Sequence, residues 1–155
     1  MNPNPKREPT LADLRVVESE HQLLGNLFLR HQEALVGGDY ASALADYDEF
    51  ARHLRLHIRL ENDVLLPAYS EIPELPRIGK PEFFYSEHEK IESAVGDIHA
   101  IVRGLSASTS KRRIIELIER EFRLKLLLEH HEEREGETLI PIMKKRLQNF
   151  GATGD

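Results

Sequence analysis

Residues 57–61 read H-I-R-L-E and residues 131–135 read H-E-E-R-E, and each glutamate is followed six residues later by a proline, Pro67 or Pro141. Both stretches therefore have the pattern H-x-x-x-E-x-x-x-x-x-P. On an α-helix of ~3.6 residues per turn, side chains four residues apart lie on the same face, so the histidine and glutamate of each stretch can bind one cation together. The repeated pattern predicts two helices that each present a pair of metal ligands.

A second repeat accompanies the first. The tripeptide Ser-Glu-His occurs at residues 19–21 and again at residues 86–88, and each copy precedes its own H-x-x-x-E stretch by a comparable distance. The chain is therefore interpreted as two copies of one helical hairpin. Each copy carries a lone histidine, His21 or His88, followed by a His/Glu pair.

Composition limits the classes of protein and of site. The 155 residues fit one domain with its own core, and the formal net charge of −6 provides no broad basic surface for nucleic acid. The absence of cysteine excludes disulfides, iron–sulfur clusters and thiolate zinc, so any metal must be held by nitrogen and oxygen. Apolar runs are far shorter than the ~20 residues of a membrane span, and the polar start lacks the apolar region of a signal peptide. We expect a cytoplasmic protein with neither a membrane nor a nucleic-acid partner.

Apolar residues recur at helical spacing in four segments of the chain. We predict helices over roughly residues 10–37, 39–67, 81–105 and 111–146, with a crossing loop over residues 69–80, a polar turn over residues 106–110, and a bend in the last helix at Gly136 and Pro141. No segment alternates with period two, so no strand is expected. The predicted fold is all-α, an up-down-up-down four-helix bundle over residues 10–149 between a flexible arm (1–9) and a flexible tail (150–155).

The candidate ligands share helix faces with core residues. His21 lies on the face of Leu24 and Phe28, and the two His/Glu pairs share faces with leucines of their own helices. Buried ionisable groups need compensation, which divalent cations supply directly. Nitrogen and oxygen ligation suits iron, manganese or zinc, and two facing carboxylates can bridge two ions ~3.5–4 Å apart. A ferritin-like site would need two Glu-x-x-His elements on separate helices, and only residues 18–21 have that spacing.

The order of these motifs, one in each predicted helix, resembles the hemerythrin family, the HHE cation-binding domains, over about residues 11–147. The resemblance implies that His21 and His57 bind one iron, that His88 and His131 bind the other, and that Glu61 and Glu135 bridge the pair. The third helix departs from the family pattern. Oxygen-carrying hemerythrins have a second histidine four residues after the first, whereas this chain has Glu92.

Because Glu92 is four residues from His88, we predict that it is the seventh ligand. A third carboxylate would favour ferric iron and argues against simple oxygen carriage. The other histidines are interpreted as structural or exposed: His31, His53, His99 and His130.

The resemblance implies a non-haem centre of two iron ions bridged by oxide or hydroxide, with manganese or zinc as alternative metals. Its expected partner is a small diatomic molecule or peroxide, which it binds or reacts with for sensing, detoxification or iron handling. Two other interpretations stay open at the level of sequence. One is a cation-binding structural or storage module without redox turnover, and the other is a metal-free helical interaction domain. Neither enzymatic turnover nor oligomeric state is indicated by the sequence.

Overall fold

The computed structural model describes residues 4–151, and these residues form helices and turns with no strand. The α-helices are α1 Leu11–Val36, α2 Tyr40–Leu60, α3 Leu66–Tyr69, α4 Pro81–Arg103, α5 Lys111–Arg134 and α6 Ile140–Gly151. Two π-helical turns, Glu61–Leu65 and Glu135–Leu139, join α2 to α3 and α5 to α6, and a short 3₁₀ turn, Arg77–Gly79, lies in the crossing loop. The predicted all-helical class is confirmed. Four long helical units result, an arrangement compatible with a four-helix bundle.

Side-chain caps fix the starts of three long helices. At α1 the Thr10 hydroxyl accepts from the backbone N–H of Asp13, whose carboxylate accepts in return from the Thr10 N–H. The Asp39 side chain caps α2 by accepting from the backbone N–H of Ser42, and the Ser110 side chain caps α5 by accepting from that of Arg113. Such caps satisfy N–H groups that have no partner within the helix. The helix starts predicted at residues 10, 39 and 111 are therefore within one residue of the observed ones.

The two π turns follow from the prolines of the repeated motif. A proline inside a helix cannot donate a hydrogen bond, and its ring clashes with the carbonyl four residues earlier. Here the backbone widens before each proline, so that the N–H of Leu66 bonds to the carbonyl of Glu61 and the N–H of Ile140 bonds to the carbonyl of Glu135. Both wide turns begin at a predicted ligand. The bend expected in the last helix is thus a π turn, and an equivalent turn, not expected from the sequence, carries the second helical unit on to Tyr69.

The predicted N-terminal arm contacts the first of these turns. Pro67 cannot donate to the carbonyl of Asp63, and this carbonyl accepts instead from the backbone N–H of Lys6 at 3.0 Å. The Lys6 ammonium also lies 2.8 Å from the Asp63 carboxylate, and Arg7 forms two 2.7 Å hydrogen bonds with Asp13. Residues 6–9 therefore lie against the helices. Residues 1–3 of the arm and residues 152–155 of the predicted tail lie outside the described part of the chain.

The helices enclose two apolar clusters with a polar layer between them. One cluster is centred on Phe28, Phe50 and Leu124, and the other includes Tyr69 and Phe84. The candidate ligands other than Glu92 lie where the two clusters meet, and the fold buries or half-buries their side chains. Among residues 4–151, no helix combines the length and hydropathy needed to span a bilayer.

Candidate metal centre

The interior polar layer contains two groups of potential metal ligands. His21, His57, Glu61 and Glu135 form one group, and Glu61, His88, His131 and Glu135 form the other. Within each group one nitrogen or oxygen atom per residue lies within 4.8 Å of the others. The two glutamates belong to both groups. Six of the predicted ligands are thus brought together as two adjoining sets, each with two histidines and two carboxylates.

Equivalent residues in the two copies of the sequence repeat make equivalent contacts. The carboxylate of Glu61 lies 2.7 Å from Nε2 of His57 through one oxygen and 2.7 Å from Nε2 of His88 through the other. The carboxylate of Glu135 likewise contacts Nε2 of His131 through one oxygen and lies 2.9 Å from Nε2 of His21 through the other. Each carboxylate therefore lies between one histidine of each group.

Several buried nitrogen and oxygen atoms of this layer lie close together without forming hydrogen bonds. Glu61 and Glu135 are fully buried, yet one oxygen of Glu61 and both oxygens of Glu135 have no partner with hydrogen-bond geometry among the described residues. The same is true of Nε2 of His21. Buried polar atoms almost always have partners, and these atoms face one another instead. Cations held in the two groups would satisfy all four atoms, so the donor set fits a metal.

Electrostatics in the layer show how strongly it attracts positive charge. Burial lowers the pKa of His57, but the neighbouring carboxylates, Glu61 foremost, outweigh burial and raise it to about 12. His131 behaves alike, because Glu135 and Glu61 raise its pKa well above the ordinary value despite burial. Burial alone would raise the pKa of Glu61, yet His57 and the other histidines hold it well below its usual range. Without a metal, protons on His57 and His131 therefore balance the buried carboxylates.

Three of the four candidate histidines also have a partner on the outer side of the ring. Nδ1 of His57 donates to Glu20 at 2.9 Å, and Nδ1 of His131 lies 3.5 Å from Glu87. Nδ1 of His88 donates to the Asn62 side chain at 2.6 Å. A partner at Nδ1 fixes the ring and its tautomer and leaves Nε2 free for a metal.

Glu20 and Glu87 were missed by the sequence analysis, although a signal for them exists. Each is the middle residue of a repeated Ser-Glu-His tripeptide, so each immediately precedes a candidate ligand. The carboxylate does not serve that neighbouring histidine. It reaches across to the histidine of the H-x-x-x-E stretch in the same copy of the repeat.

One side of the layer opens to the surface at His21. The side chain of His21 is 18% exposed, whereas those of the other three histidines are 2 to 4% exposed. A cleft of about 240 Å³ adjoins it, and its walls include these residues: His21, Leu24, Gly25, Phe28, Gln32, Phe50, Lys125 and Glu132. Small molecules can therefore approach the His21 group more readily than the His88 group.

The structure places the seventh predicted ligand, Glu92, outside the site. Its side chain is exposed, and it belongs to neither ligand group. The buried stripe of α4 runs through His88, Ile91 and Val95, so position 92 lies on the solvent side of that stripe although it is one turn from His88. Six of the seven predicted residues, four histidines and two glutamates, therefore lie in the two groups, and Glu92 does not. The exposed position of Glu92 gives no support to a third carboxylate ligand.

A separate buried ion pair lies in the apolar cluster around Phe28 and Phe50. Nδ1 of His31 donates to the backbone carbonyl of Ala43 at 2.7 Å, and Nε2 donates to the carboxylate of Glu121. Both ring nitrogens face oxygen atoms, an arrangement that the protonated ring satisfies with two N–H donors. Burial lowers the pKa of His31, but Glu121 outweighs it and the net direction is upward. The interpretation of His31 as structural agrees with this placement, whereas Glu121 had no distinguishing signal among the charged residues of its helix.

Three comparisons, with models of protein families, with curated proteins and with solved structures, give no match to this chain. The functional assignment therefore rests on the two ligand groups and their surroundings.

Proposed function

We propose that the chain is a hemerythrin-like four-helix bundle whose interior holds two metal ions, iron in preference to manganese or zinc, bridged by oxide or hydroxide. The observation that carries the proposal is the sharing of Glu61 and Glu135 by two groups of buried ligands. A carboxylate with one oxygen toward each group matches what a two-metal centre requires. The H-x-x-x-E motifs, which resemble those of the hemerythrin family, also support the proposal.

The ligand count favours reaction with a small molecule. Each ion would receive two histidines and one oxygen from each bridging glutamate, which is fewer protein ligands than the six positions of an octahedral ion. Open positions remain for an exogenous ligand, and the cleft beside His21 favours the His21/His57 ion as the place where it binds. Two ferrous ions, when bound, supply electrons to dioxygen, peroxide or nitric oxide. We therefore propose binding of, or reaction with, such molecules, for sensing, detoxification or iron handling.

The protein side chains hold the site in place and limit access to it. Glu20 and Glu87 orient the rings of His57 and His131, so that Nε2 of each points into the layer. The apolar clusters on either side exclude bulk water, and this strengthens the electrostatic attraction between the carboxylates and a cation. Leu24, Phe28 and Phe50 make the inner cleft wall apolar, which suits uncharged diatomic molecules.

A second candidate function is a cation site that only stabilises the fold or stores metal. Complete burial of Glu61 and Glu135 favours it, because closed sites are typical of structural metals. The cleft at His21 favours the reactive alternative.

Anaerobic loading with ferrous iron, followed by metal analysis and rapid mixing with dioxygen, peroxide or nitric oxide, separates these functions. The reactive centre is expected to hold about two irons per chain and to develop the near-ultraviolet absorption of a bridged diferric pair. A structural site would hold metal without that change. Less than one metal per chain after iron supplementation would contradict the proposal and support a metal-free helical interaction domain.

A further inference from the structure

The twofold repeat of the ligand layer is broken at one pair of equivalent positions. Asn62 directly follows Glu61, and Gly136 directly follows Glu135. Both residues lie in π turns, one step beyond a shared carboxylate. The repeat therefore offers an internal comparison: the same place in the two halves carries an amide side chain in one and no side chain in the other.

Asn62 has a defined contact in its half. Its side-chain oxygen accepts from Nδ1 of His88 at 2.6 Å, while Nε2 of the same ring lies 2.7 Å from Glu61. The ring is thus held between an outer acceptor and the ligand layer. Because Nδ1 carries the proton, Nε2 is left to coordinate.

His21 is the equivalent histidine in the other half, and it lacks such a contact. Within residues 4–151 no group forms a hydrogen bond with its Nδ1, and Gly136 has no side chain to provide an acceptor. Packing does not impose the glycine, since a Cβ built at position 136 meets nothing within 4 Å. Its φ is not positive, so side chains are allowed there.

We propose that the two ion sites are inequivalent and fill in order, the His88/His131 site first and the His21/His57 site second. This inference rests on the proposed metal centre. Both rings of the first site have outer partners, Asn62 and Glu87, whereas only one ring of the second site does. Asn62 is a positioning residue that holds His88, and the glycine at position 136 makes the second site the weaker one.

The size of the difference follows from the general effect of outer partners. Loss of one such partner weakens metal binding by about 10–100-fold. Both sites share the two carboxylates and each has two histidines, so the ligands themselves do not offset this difference in metal affinity. The weaker ion is also the one beside the cleft, which makes the open side of the centre the side that exchanges its metal.

Anaerobic titration of the metal-free full-length chain with Mn²⁺, followed by calorimetry and electron paramagnetic resonance, tests the order of filling. Wild type is expected to bind in two phases with dissociation constants about 10–100-fold apart. The spectrum of isolated Mn²⁺ bound to protein should be strongest near one equivalent and weaken as the second ion couples to the first. His21→Ala should abolish the weaker phase alone, and His88→Ala should abolish the tighter one.

Substitutions at the two equivalent positions test the cause. Gly136→Asn is expected to tighten the weaker phase by about tenfold or more, whereas Gly136→Ala, which fills the same space without an acceptor, should leave it unchanged. Asn62→Leu should weaken binding in the tighter phase, whereas Asn62→Asp, which keeps an acceptor, should leave the affinity of that phase close to that of wild type. Circular dichroism of each variant checks that it is folded.

Each outcome has a distinct meaning. A single phase with two equivalent ions in wild type would overturn the inference while leaving the metal centre standing. Equal effects of Gly136→Asn and Gly136→Ala would refute the role of the outer acceptor. Absence of Mn²⁺ and iron binding by wild type would overturn the metal centre and, with it, the order of filling.

Discussion

Glu61→Gln tests the charge balance of the metal-free protein. Glu61 is fully buried and lies 2.7 Å from a ring nitrogen of His57 and of His88. Glutamine has almost the same shape, so the substitution removes a negative charge without opening a cavity. The histidines would lose the carboxylate that contributes most to raising the pKa of His57 to about 12. Breaking a buried ion pair from one side costs about 3–5 kcal/mol, and we expect a loss of this size in the free energy of unfolding.

The measurements are urea unfolding and thermal unfolding, both followed by far-ultraviolet circular dichroism in the presence of a chelator. At about 2–4 °C per kcal/mol for a chain of this length, the melting temperature should fall by about 6–20 °C. Glu92→Gln is the matched control, because the same change at an exposed position should stay within about 0.5 kcal/mol. In metal-loading experiments Glu61→Gln should lose both ions and Glu92→Gln neither. Equal stability and equal metal content of the two variants would contradict a charged, metal-binding role for the buried Glu61 carboxylate.

Three further predictions concern other parts of the molecule. Gly79→Ala should destabilise the fold by about 1–3 kcal/mol in thermal melts, because its Cβ would lie 2.6 Å from the Tyr69 hydroxyl; Gly96→Ala, where nothing lies within 4 Å, should stabilise its helix by about 0.5–1 kcal/mol. Urea titrations from about pH 6 to about pH 9 compare the free energy of unfolding of wild type with that of the double variant H31L/E121L. The advantage of wild type should be greatest below pH ~6.5 and should fall as the pH rises through the raised pKa of His31. An advantage that stays constant over that range would contradict a protonated His31 ring. Metal binding at neutral pH should release protons, since His57 with its pKa of about 12 must lose one to coordinate, and calorimetry in buffers of different ionisation enthalpy measures that release.

The sequence predicts which polar side chains come together in the interior where two independent constraints agree. His57 and Glu61 combine helical spacing with a duplicated proline, and both lie in the layer. Glu92 had helical spacing alone. Residues four apart on a helix differ by about 40° in direction, and at the edge of a buried stripe that angle is enough to turn a side chain toward solvent. Which side of His88 is buried depends on how α4 packs against its neighbours, and no local pattern contains that information.

Other features depend on contacts between distant segments. The bond from Lys6 to the carbonyl of Asp63 arises because Pro67 frees that carbonyl, but the sequence does not say which donor will reach it. Glu121 pairs with His31 across the interior although both have ordinary helical surroundings in sequence. Glu20 and Glu87 differ from these, because the duplicated tripeptide marks them and only their partners required the fold.

The π turns also determine where the length of the chain can change during evolution. A π turn holds one residue more than the α-helical path it replaces, and each residue of a helix advances the direction of the side chains by about 100°. Loss of a single codon between Glu61 and Pro67 would turn the wide turn into an α-helical path, in which the proline ring clashes with the carbonyl four residues earlier. An insertion would instead rotate Leu66 and Tyr69 away from their apolar cluster. The turn at residues 106–110 has no such constraint, because loop length has only a weak effect on stability. Natural variation in length is therefore expected at that turn and should be absent between each shared glutamate, Glu61 or Glu135, and its proline.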